Sequence, residues 1–185
     1  MDADNGVKLQ NIMELLAAVK GDANMGNVTF VAKSKWLGGT RTEVEISELW
    51  AGNQNIARQG RKFTLTIDEP AQLGGTDQHP NPVEYLAAGL CGCLTAGIAT
   101  NSQMFGNQLE KIEVTVKMDN NLHGVLGLDD KISNGVSNID YSVKIKGKNG
   151  KEKCIRSKET IDKKSPVLVT LKNANPTKTR IEVIE

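Results

Sequence analysis

The spacing of apolar residues predicts one helix and then a set of strands in the first third of the chain. Apolar residues recur at helical spacing within Leu9–Lys20, and Gly21 is a natural end for that helix. The apolar face consists of Ile12, Leu15, Leu16 and Val19. Apolar and polar residues then alternate in three segments, which is typical of strands. These segments are 27–36, 41–49 and 61–68, and the Leu-Gly-Gly-Thr segment at 37–40 predicts a hairpin connection.

A long uncharged segment, 85–108, predicts the longest helix of the chain. Asn81 can cap this helix, Pro82 suits its first position, and Glu84 can return a bond to the backbone N–H of the cap. Gly106 suits the left-handed conformation that often follows a helix. Small residues lie on all sides, so other elements can approach closely and we expect a central, buried helix. They are Ala87, Ala88, Gly89, Gly92, Ala96, Gly97 and Ala99.

The second half of the chain returns to strands and then to helices. The predicted elements are strands at 109–119 and 137–147, a helix at 151–164, a short helix that begins at Pro166, and an edge strand at 177–185. The full order is one helix, three strands, one helix, two strands, two helices and one strand. This order predicts an α+β fold in which a helix layer packs on antiparallel sheet.

Length and charge limit the classes of protein to which the chain can belong. Its 185 residues favour one domain with its own core and room for an appendage. Lys and Arg total 23 against 22 acidic residues, so we expect no concentrated basic face for nucleic acid. The first residues lack the features of a signal peptide, and the strongly apolar part of the long helix, 85–99, is shorter than the ~20 residues of a membrane span. We therefore expect a soluble, cytoplasmic protein that does not enter a membrane.

The pair Cys91 and Cys93 poses the main chemical question. Neighbours at i and i+2 on a helix point about 200° apart, so these two sulfurs cannot form a disulfide without unwinding the helix. A metal site is weakly supported, because Cys-x-Cys lacks a second ligand pair and His79 and His123 lie in separate predicted loops. We expect neither a metal nor another cofactor. A reactive thiol and simple core packing both remain, and a reactive thiol would need a nearby cation, for which arginine is best suited.

The segment Pro80–Ala99 resembles the core helix of the OsmC/Ohr family of thiol proteins. Asn81 is followed twelve residues later by Cys93, as in the family pattern, so Cys93 takes the reactive position. Three further segments resemble the family in the same order, namely Trp-Leu-Gly-Gly-Thr-Arg near residue 40, Asp-Glu-Pro-Ala-Gln-Leu-Gly-Gly near residue 70, and Ser-Pro-Val-Leu-Val-Thr-Leu after residue 164. The resemblance implies a single OsmC-like domain over 27–185, with residues 1–26 as an N-terminal helical appendage.

The resemblance also implies an assembly and an activity. Family members form intertwined homodimers whose antiparallel sheets pack around a long central helix, with two sites at the subunit interface. Well-studied members are peroxidases for organic hydroperoxides and hydrogen peroxide, with a role in the response to oxidative stress. Their thiolate becomes a sulfenic acid, which a second cysteine and then a thiol reductant resolve. Cys93 would be that thiol here, and Arg41 would be its cationic partner, reaching it from the other subunit.

Two positions depart from the family pattern. Val83 stands where the peroxidases have a glutamate, and Glu84 lies on the opposite helix face from Cys93, which suits capping better. Ser165 stands in place of the second cysteine, and Cys154 lies eleven residues earlier. A continuous helix would separate the two positions by about 16 Å, which is beyond the range of a disulfide. Two hypotheses follow. One is a one-cysteine thiol peroxidase that uses an external thiol reductant, and the other is a non-catalytic OsmC-like binding or structural homodimer.

Overall fold

The computed structural model describes residues 3–183, which divide into two compact units. We call residues 8–87 the N-terminal unit, and residues 3–7 together with 88–183 the C-terminal unit. The described chain combines helices with antiparallel sheets, so the predicted α+β class is confirmed. The predicted boundary between residues 26 and 27 stays a prediction.

The N-terminal unit contains one helix and two small antiparallel sheets. Helix α1 covers Leu9–Gly21, as predicted, and a 3-10 turn follows at Ala23–Gly26. The strands are β1 Val28–Phe30, β2 Lys33–Gly38, β3 Arg41–Ile46, β4 Leu49–Ala51, β5 Gln54–Asn55 and β6 Phe63–Ile67. The sheet orders are β1-β4-β5 and β2-β3-β6.

The predicted strands 27–36 and 41–49 are each two strands in the structure. Their first and last parts belong to different sheets, because β1 pairs with β4 while β2 pairs with β3. Alternation of apolar and polar residues continues on both sides of each break. The pattern therefore predicts strand conformation correctly but does not reveal where the chain passes from one sheet to the other.

The C-terminal unit is a two-stranded sheet covered by helices. Strands β7 Leu109–Asp119 and β8 Asn138–Gly147 pair along their length, with a short helix α3 Leu122–Val125 between them. Helices α4 Lys151–Lys164 and α5 Pro166–Lys172 follow, both as predicted. The apolar faces of both strands pack against a buried cluster formed by Leu90, Leu94, Ile98, Ile161 and Leu168.

Helix α2, Pro82–Met104, begins and ends with the predicted signals. The side chains of Asn81 and Glu84 each accept a hydrogen bond from the other residue's backbone N–H, both at 2.8 Å. Gly106 has a φ of 63°, and the Asn107 N–H donates to the Ser102 carbonyl, which closes a Schellman motif. Both ends of α2 are therefore fixed by hydrogen bonds that the sequence predicts.

One face of α2 is buried in the single chain, and burial of its remaining faces stays a prediction. The buried residues are Leu90, Leu94, Ile98 and Ser102. Among the described helices, α2 is long and apolar enough to cross a membrane by length and composition alone, because it has 23 residues and continues beyond the apolar part 85–99. Core helices of soluble proteins share this property, and the packing of Leu90, Leu94 and Ile98 against α4 and α5 favours such a core.

The last described residues differ from expectation. Residues 177–183 form no strand, and Ile181 and Val183 are 90% and 83% exposed, because no strand of the described chain pairs with this segment. Ile184 and Glu185, which complete the predicted edge strand, lie outside the described residues.

At the N-terminal end of the described chain, Asp4 and Asn5 bind the segment 103–109 of the C-terminal unit through five hydrogen bonds of 2.7–2.9 Å. We call this arrangement the N-terminal clasp.

Candidate functional site around Cys93

The two cysteines of α2 have different surroundings. All three cysteines of the chain are free thiols, and each is half-buried. The Cys91 sulfur lies 3.8 Å from the Val114 carbonyl oxygen on β7. The Cys93 sulfur instead lies 3.1 Å from the Ser165 hydroxyl oxygen. The two side chains therefore contact different elements, as the geometry of an i,i+2 pair predicts.

Ser165 is held rigidly between α4 and α5. It is fully buried, and its backbone N–H donates to the Ile161 carbonyl at 2.7 Å. Its hydroxyl oxygen caps α5 by accepting the Leu168 N–H at 3.2 Å, and Pro166 occupies the first turn of that helix. Ser165, which replaces the second cysteine of the family pattern, is thus in direct contact with Cys93. The Ser-Pro signature predicts the cap, but nothing local predicts the contact.

A close approach of α2 to α4 makes this contact geometrically possible. Gly97 lies one turn after Cys93, and a Cβ atom placed on it would be 2.1 Å from Cδ1 of Ile161. A side chain at position 97 would therefore force either the Ile161 side chain to change its rotamer or α4 to move away from α2. Because Ser165 directly follows α4, the absence of a side chain at Gly97 is what lets the Cys93 sulfur meet the serine hydroxyl.

The predicted cation, Arg41, lies in the N-terminal unit, whereas Cys93 lies in the C-terminal unit. Arg41 is the first residue of β3 and is half-buried. Its role as partner of the Cys93 thiolate stays a prediction. A second arginine of the same unit was not singled out by the sequence: Arg61 lies 5.0 Å from the ring centre of Phe63, and its buried Nη1 atom has no hydrogen-bond partner within residues 3–183.

A buried carboxylate fixes the backbone next to Arg41. Asp68 is fully buried and accepts hydrogen bonds from the Thr40 hydroxyl at 2.7 Å, from the Thr76 N–H at 3.0 Å and from the Thr76 hydroxyl. These bonds, led by that of the Thr76 hydroxyl and then that of Thr40, hold the pKa of Asp68 well below its ordinary value. Gly75 completes the loop, because a Cβ there would lie 1.7 Å from the Glu69 carbonyl oxygen. The family-like segment before α2 thus holds Thr40, the neighbour of Arg41.

The other candidate groups lie apart from Cys93. Glu84 is engaged in the capping bonds at the start of α2, as its helical position predicts. The Cys154 sulfur accepts a hydrogen bond from the Asn107 side chain at 3.3 Å and borders a cavity of about 350 Å³ between β8 and α4. Within residues 3–183, no three His, Cys, Asp or Glu side chains are grouped so that they could hold a metal ion.

Comparison with known proteins identifies the family. Residues 75–180 match the model of the family described as OsmC-like protein, so this chain belongs to the OsmC-like family. The predicted resemblance to this family is therefore confirmed. No curated protein matches the sequence.

Solved structures share the fold at low sequence identity. An OsmC-like protein from Mycoplasma pneumoniae is 16% identical with a TM-score of 0.56, covering 79% of this chain and 87% of its own. An organic hydroperoxide resistance protein OsmC from Legionella pneumophila is 19% identical with a TM-score of 0.53, covering 77% and 88%. An OsmC-like protein of unknown function from Vibrio cholerae is 9% identical with a TM-score of 0.54, covering 77% and 92%. At these identities the similarity establishes the fold alone.

Proposed function

We propose that this chain is a homodimeric thiol-dependent reductase of organic hydroperoxides and hydrogen peroxide. Cys93 is the reactive thiol, and an external thiol regenerates it. The observation that carries the proposal is the 3.1 Å contact between the Cys93 sulfur and the Ser165 hydroxyl. Peroxidases of the family have their second thiol at the position of Ser165, so the contact supports Cys93 rather than Cys91 as the reactive sulfur.

The reaction needs one thiolate and two equivalents of an external thiol. The Cys93 thiolate attacks the peroxide, so that an S–O bond forms and the O–O bond breaks. The leaving group is an alkoxide from an organic hydroperoxide or hydroxide from hydrogen peroxide, and it takes a proton and departs as an alcohol or as water. An external thiol then condenses with the sulfenic acid to give a mixed disulfide and water. A second external thiol attacks that disulfide and releases reduced Cys93.

The area that the chain leaves exposed supports a second copy. The chain exposes 13,661 Å². A compact chain of this mass exposes about 8,700 Å², and even two wholly separate domains of these sizes expose only about 10,500 Å². The excess of about 3,000 Å² per chain reaches the size of an obligate homodimer interface. The exposed residues 173–183 contribute to this excess, and for the remainder we propose the intertwined homodimer that the family implies.

The exposed side of α2 supports the same assembly. Between residues 86 and 96, the exposed residues carry no charge and are mostly small, and they are Leu86, Ala88, Gly89, Gly92 and Ala96. Small residues let backbones approach closely, so this side suits close packing in the centre of a dimer. We propose that α2 becomes the central buried helix only when two chains combine, with residues 27–185 as the OsmC-like domain.

Arg41 is our candidate for the cation that stabilises the Cys93 thiolate, and we propose that it comes from the partner subunit. Its half-buried position and the Asp68 anchor on the preceding residue, Thr40, support this role. We further propose a cytoplasmic location and a role in the response to oxidative stress, because free thiols persist in reducing compartments.

Intact-protein mass spectrometry tests the proposed chemistry. Reduced protein is mixed with cumene hydroperoxide or hydrogen peroxide, and the gain of one oxygen atom at Cys93 is followed over time. Cys93→Ser abolishes the reaction if the proposal holds, and Cys91→Ser leaves it unchanged. Addition of a dithiol then gives repeated turnover. If Cys93 oxidises no faster than the thiol of glutathione, the peroxidase proposal fails, and the non-catalytic OsmC-like homodimer becomes the better hypothesis.

A further inference from the structure

We propose that Ser165 is a positioning residue for the Cys93 thiolate, to which its hydroxyl donates a hydrogen bond. The inference rests on the proposed role of Cys93 as the reactive thiol. It gives Ser165 a function of its own. In the sequence alone, this residue is notable only because it replaces the second cysteine of the family pattern.

The bonding of Ser165 favours donation by its hydroxyl to the Cys93 sulfur. A serine hydroxyl has one proton to donate and two lone pairs that accept. The oxygen of Ser165 already accepts the Leu168 N–H at 3.2 Å. Its proton needs an acceptor because the residue is fully buried, and within residues 3–183 the Cys93 sulfur is the acceptor that lies in reach, at 3.1 Å. The Leu168 N–H also polarises the hydroxyl, which strengthens its donation to sulfur.

Cys91 provides a contrast on the same helix. Its sulfur is also half-buried, but its neighbour is the Val114 carbonyl oxygen, at 3.8 Å. A carbonyl oxygen accepts a hydrogen bond and therefore favours the protonated thiol. A hydroxyl donates and therefore favours the thiolate. The surroundings thus distinguish two cysteines that lie two residues apart, because a hydroxyl faces Cys93 and a carbonyl oxygen faces Cys91.

A donor at this position has a consequence that a second thiol would not have. Serine cannot form a disulfide with Cys93, so the oxidised centre remains a sulfenic acid until an external thiol reaches it. The same hydroxyl holds the reduced sulfur in place through the 3.1 Å contact. Ser165 therefore directs the centre toward resolution by an external thiol.

The pH dependence of alkylation measures the effect of the donor. Hydrogen bonds to charged groups correspond to about one to two pH units, so Ser165→Ala moves the midpoint of Cys93 alkylation up by that amount. A less stabilised thiolate is also more nucleophilic, with a Brønsted coefficient of about 0.4–0.5. The variant should therefore react about 3- to 15-fold more slowly below both midpoints and about 3- to 10-fold faster above them. The two pH profiles cross, which a merely structural role of Ser165 would not produce.

The experiment uses the full chain and iodoacetamide, with peptide mass spectrometry to resolve the three cysteines. Ser165→Thr retains a hydroxyl and should restore the wild-type midpoint. Ser157→Ala is the matched control, because Ser157 is also fully buried and hydrogen-bonded, to Ser102 and to the Lys153 carbonyl. An unchanged midpoint in Ser165→Ala, or an equal shift in Ser157→Ala, overturns the inference.

Two further measurements keep the test decisive. If Ser165→Ala does not fold, the wild-type protein alone is sufficient, because Cys93 must react at lower pH than Cys91. An equal or higher midpoint for Cys93 then overturns the proposal. Alkylation does not require peroxide, so this test is separate from the test of peroxidase activity. If the two pH profiles of alkylation cross but the protein reduces no peroxide, the role of Ser165 stands and the proposed peroxidase activity is rejected.

Discussion

The contact between α2 and α4 at Gly97 offers a stringent test of the structure around Cys93. In Gly97→Ala, the new Cβ atom would lie 2.1 Å from Cδ1 and 2.3 Å from Cγ1 of Ile161, far inside van der Waals contact. Ile161 belongs to the buried core and has little room to move. Either its side chain leaves its rotamer or α4 moves away from α2.

The magnitude follows from two opposing effects. Alanine is a better helix former than glycine by about 0.8–1.0 kcal/mol, whereas overpacking a core costs about 1–3 kcal/mol. Gly97→Ala should therefore lower the free energy of unfolding by up to about 2 kcal/mol. Ile161→Ala alone should lower it by about 2–5 kcal/mol, because it leaves a cavity. In the double variant the closest remaining atom is the Cβ of residue 161 at 3.2 Å, so most of the overpacking penalty is removed.

Urea unfolding of the four proteins at one protein concentration closes a double-mutant cycle. We expect a coupling free energy of about 1–3 kcal/mol between positions 97 and 161, with the double variant more stable than additivity predicts. A coupling below about 0.5 kcal/mol is the additive behaviour of residues that do not touch. That result would refute the close approach of the two helices and, with it, the physical reason for the contact between Cys93 and Ser165.

Three further predictions concern the two ends of α2 and the loop that precedes it. Asn81→Ala removes the helix cap and should lower the free energy of unfolding by about 1 kcal/mol in urea titrations, and an unchanged midpoint would contradict the capping box. Asn5→Ala breaks the N-terminal clasp, so the Leu109 amide should exchange its hydrogen faster with solvent, whereas Asn11→Ala on exposed α1 should leave that rate unchanged. The low pKa of Asp68 means that its carboxylate stabilises the fold above about pH 4 and that this contribution is lost as the pH falls further. Asp68→Asn should therefore melt at a lower temperature than wild type at pH 7, and a difference that does not narrow in acid would disprove the assignment.

The features that the sequence predicts well are those that depend on residues close together in the chain. The alternation in β7 and β8 places their apolar residues toward the core as expected, and the Asn81–Glu84 cap and the glycine end of α2 are both confirmed. Each of these depends on residues within one or two turns of each other, so the local pattern contains the information.

The features that the sequence does not predict depend on distant residues. Each of the first two predicted strands divides between two sheets, and this division depends on which strands pair. Alternation of apolar and polar residues does not specify pairing partners. The contact between Cys93 and Ser165 joins positions 72 residues apart and requires the close approach at Gly97. The family resemblance identifies Cys93, but the neighbour of its sulfur follows only from how α2, α4 and α5 pack.

The buried face of α2 has a consequence for the order in which the protein is made. Leu90, Leu94 and Ile98 are covered by strands and helices that all come later in the chain, and Leu168 is translated 64 residues after the helix ends at Met104. At about 5–20 residues per second, the ribosome needs about 3 to 13 s to supply that cover. During this period the nascent chain carries an uncovered apolar helix long enough to be mistaken for a membrane segment. Slow codons between residues 109 and 168 would lengthen this exposure, so the yield of folded protein should depend on translation speed in that part of the message.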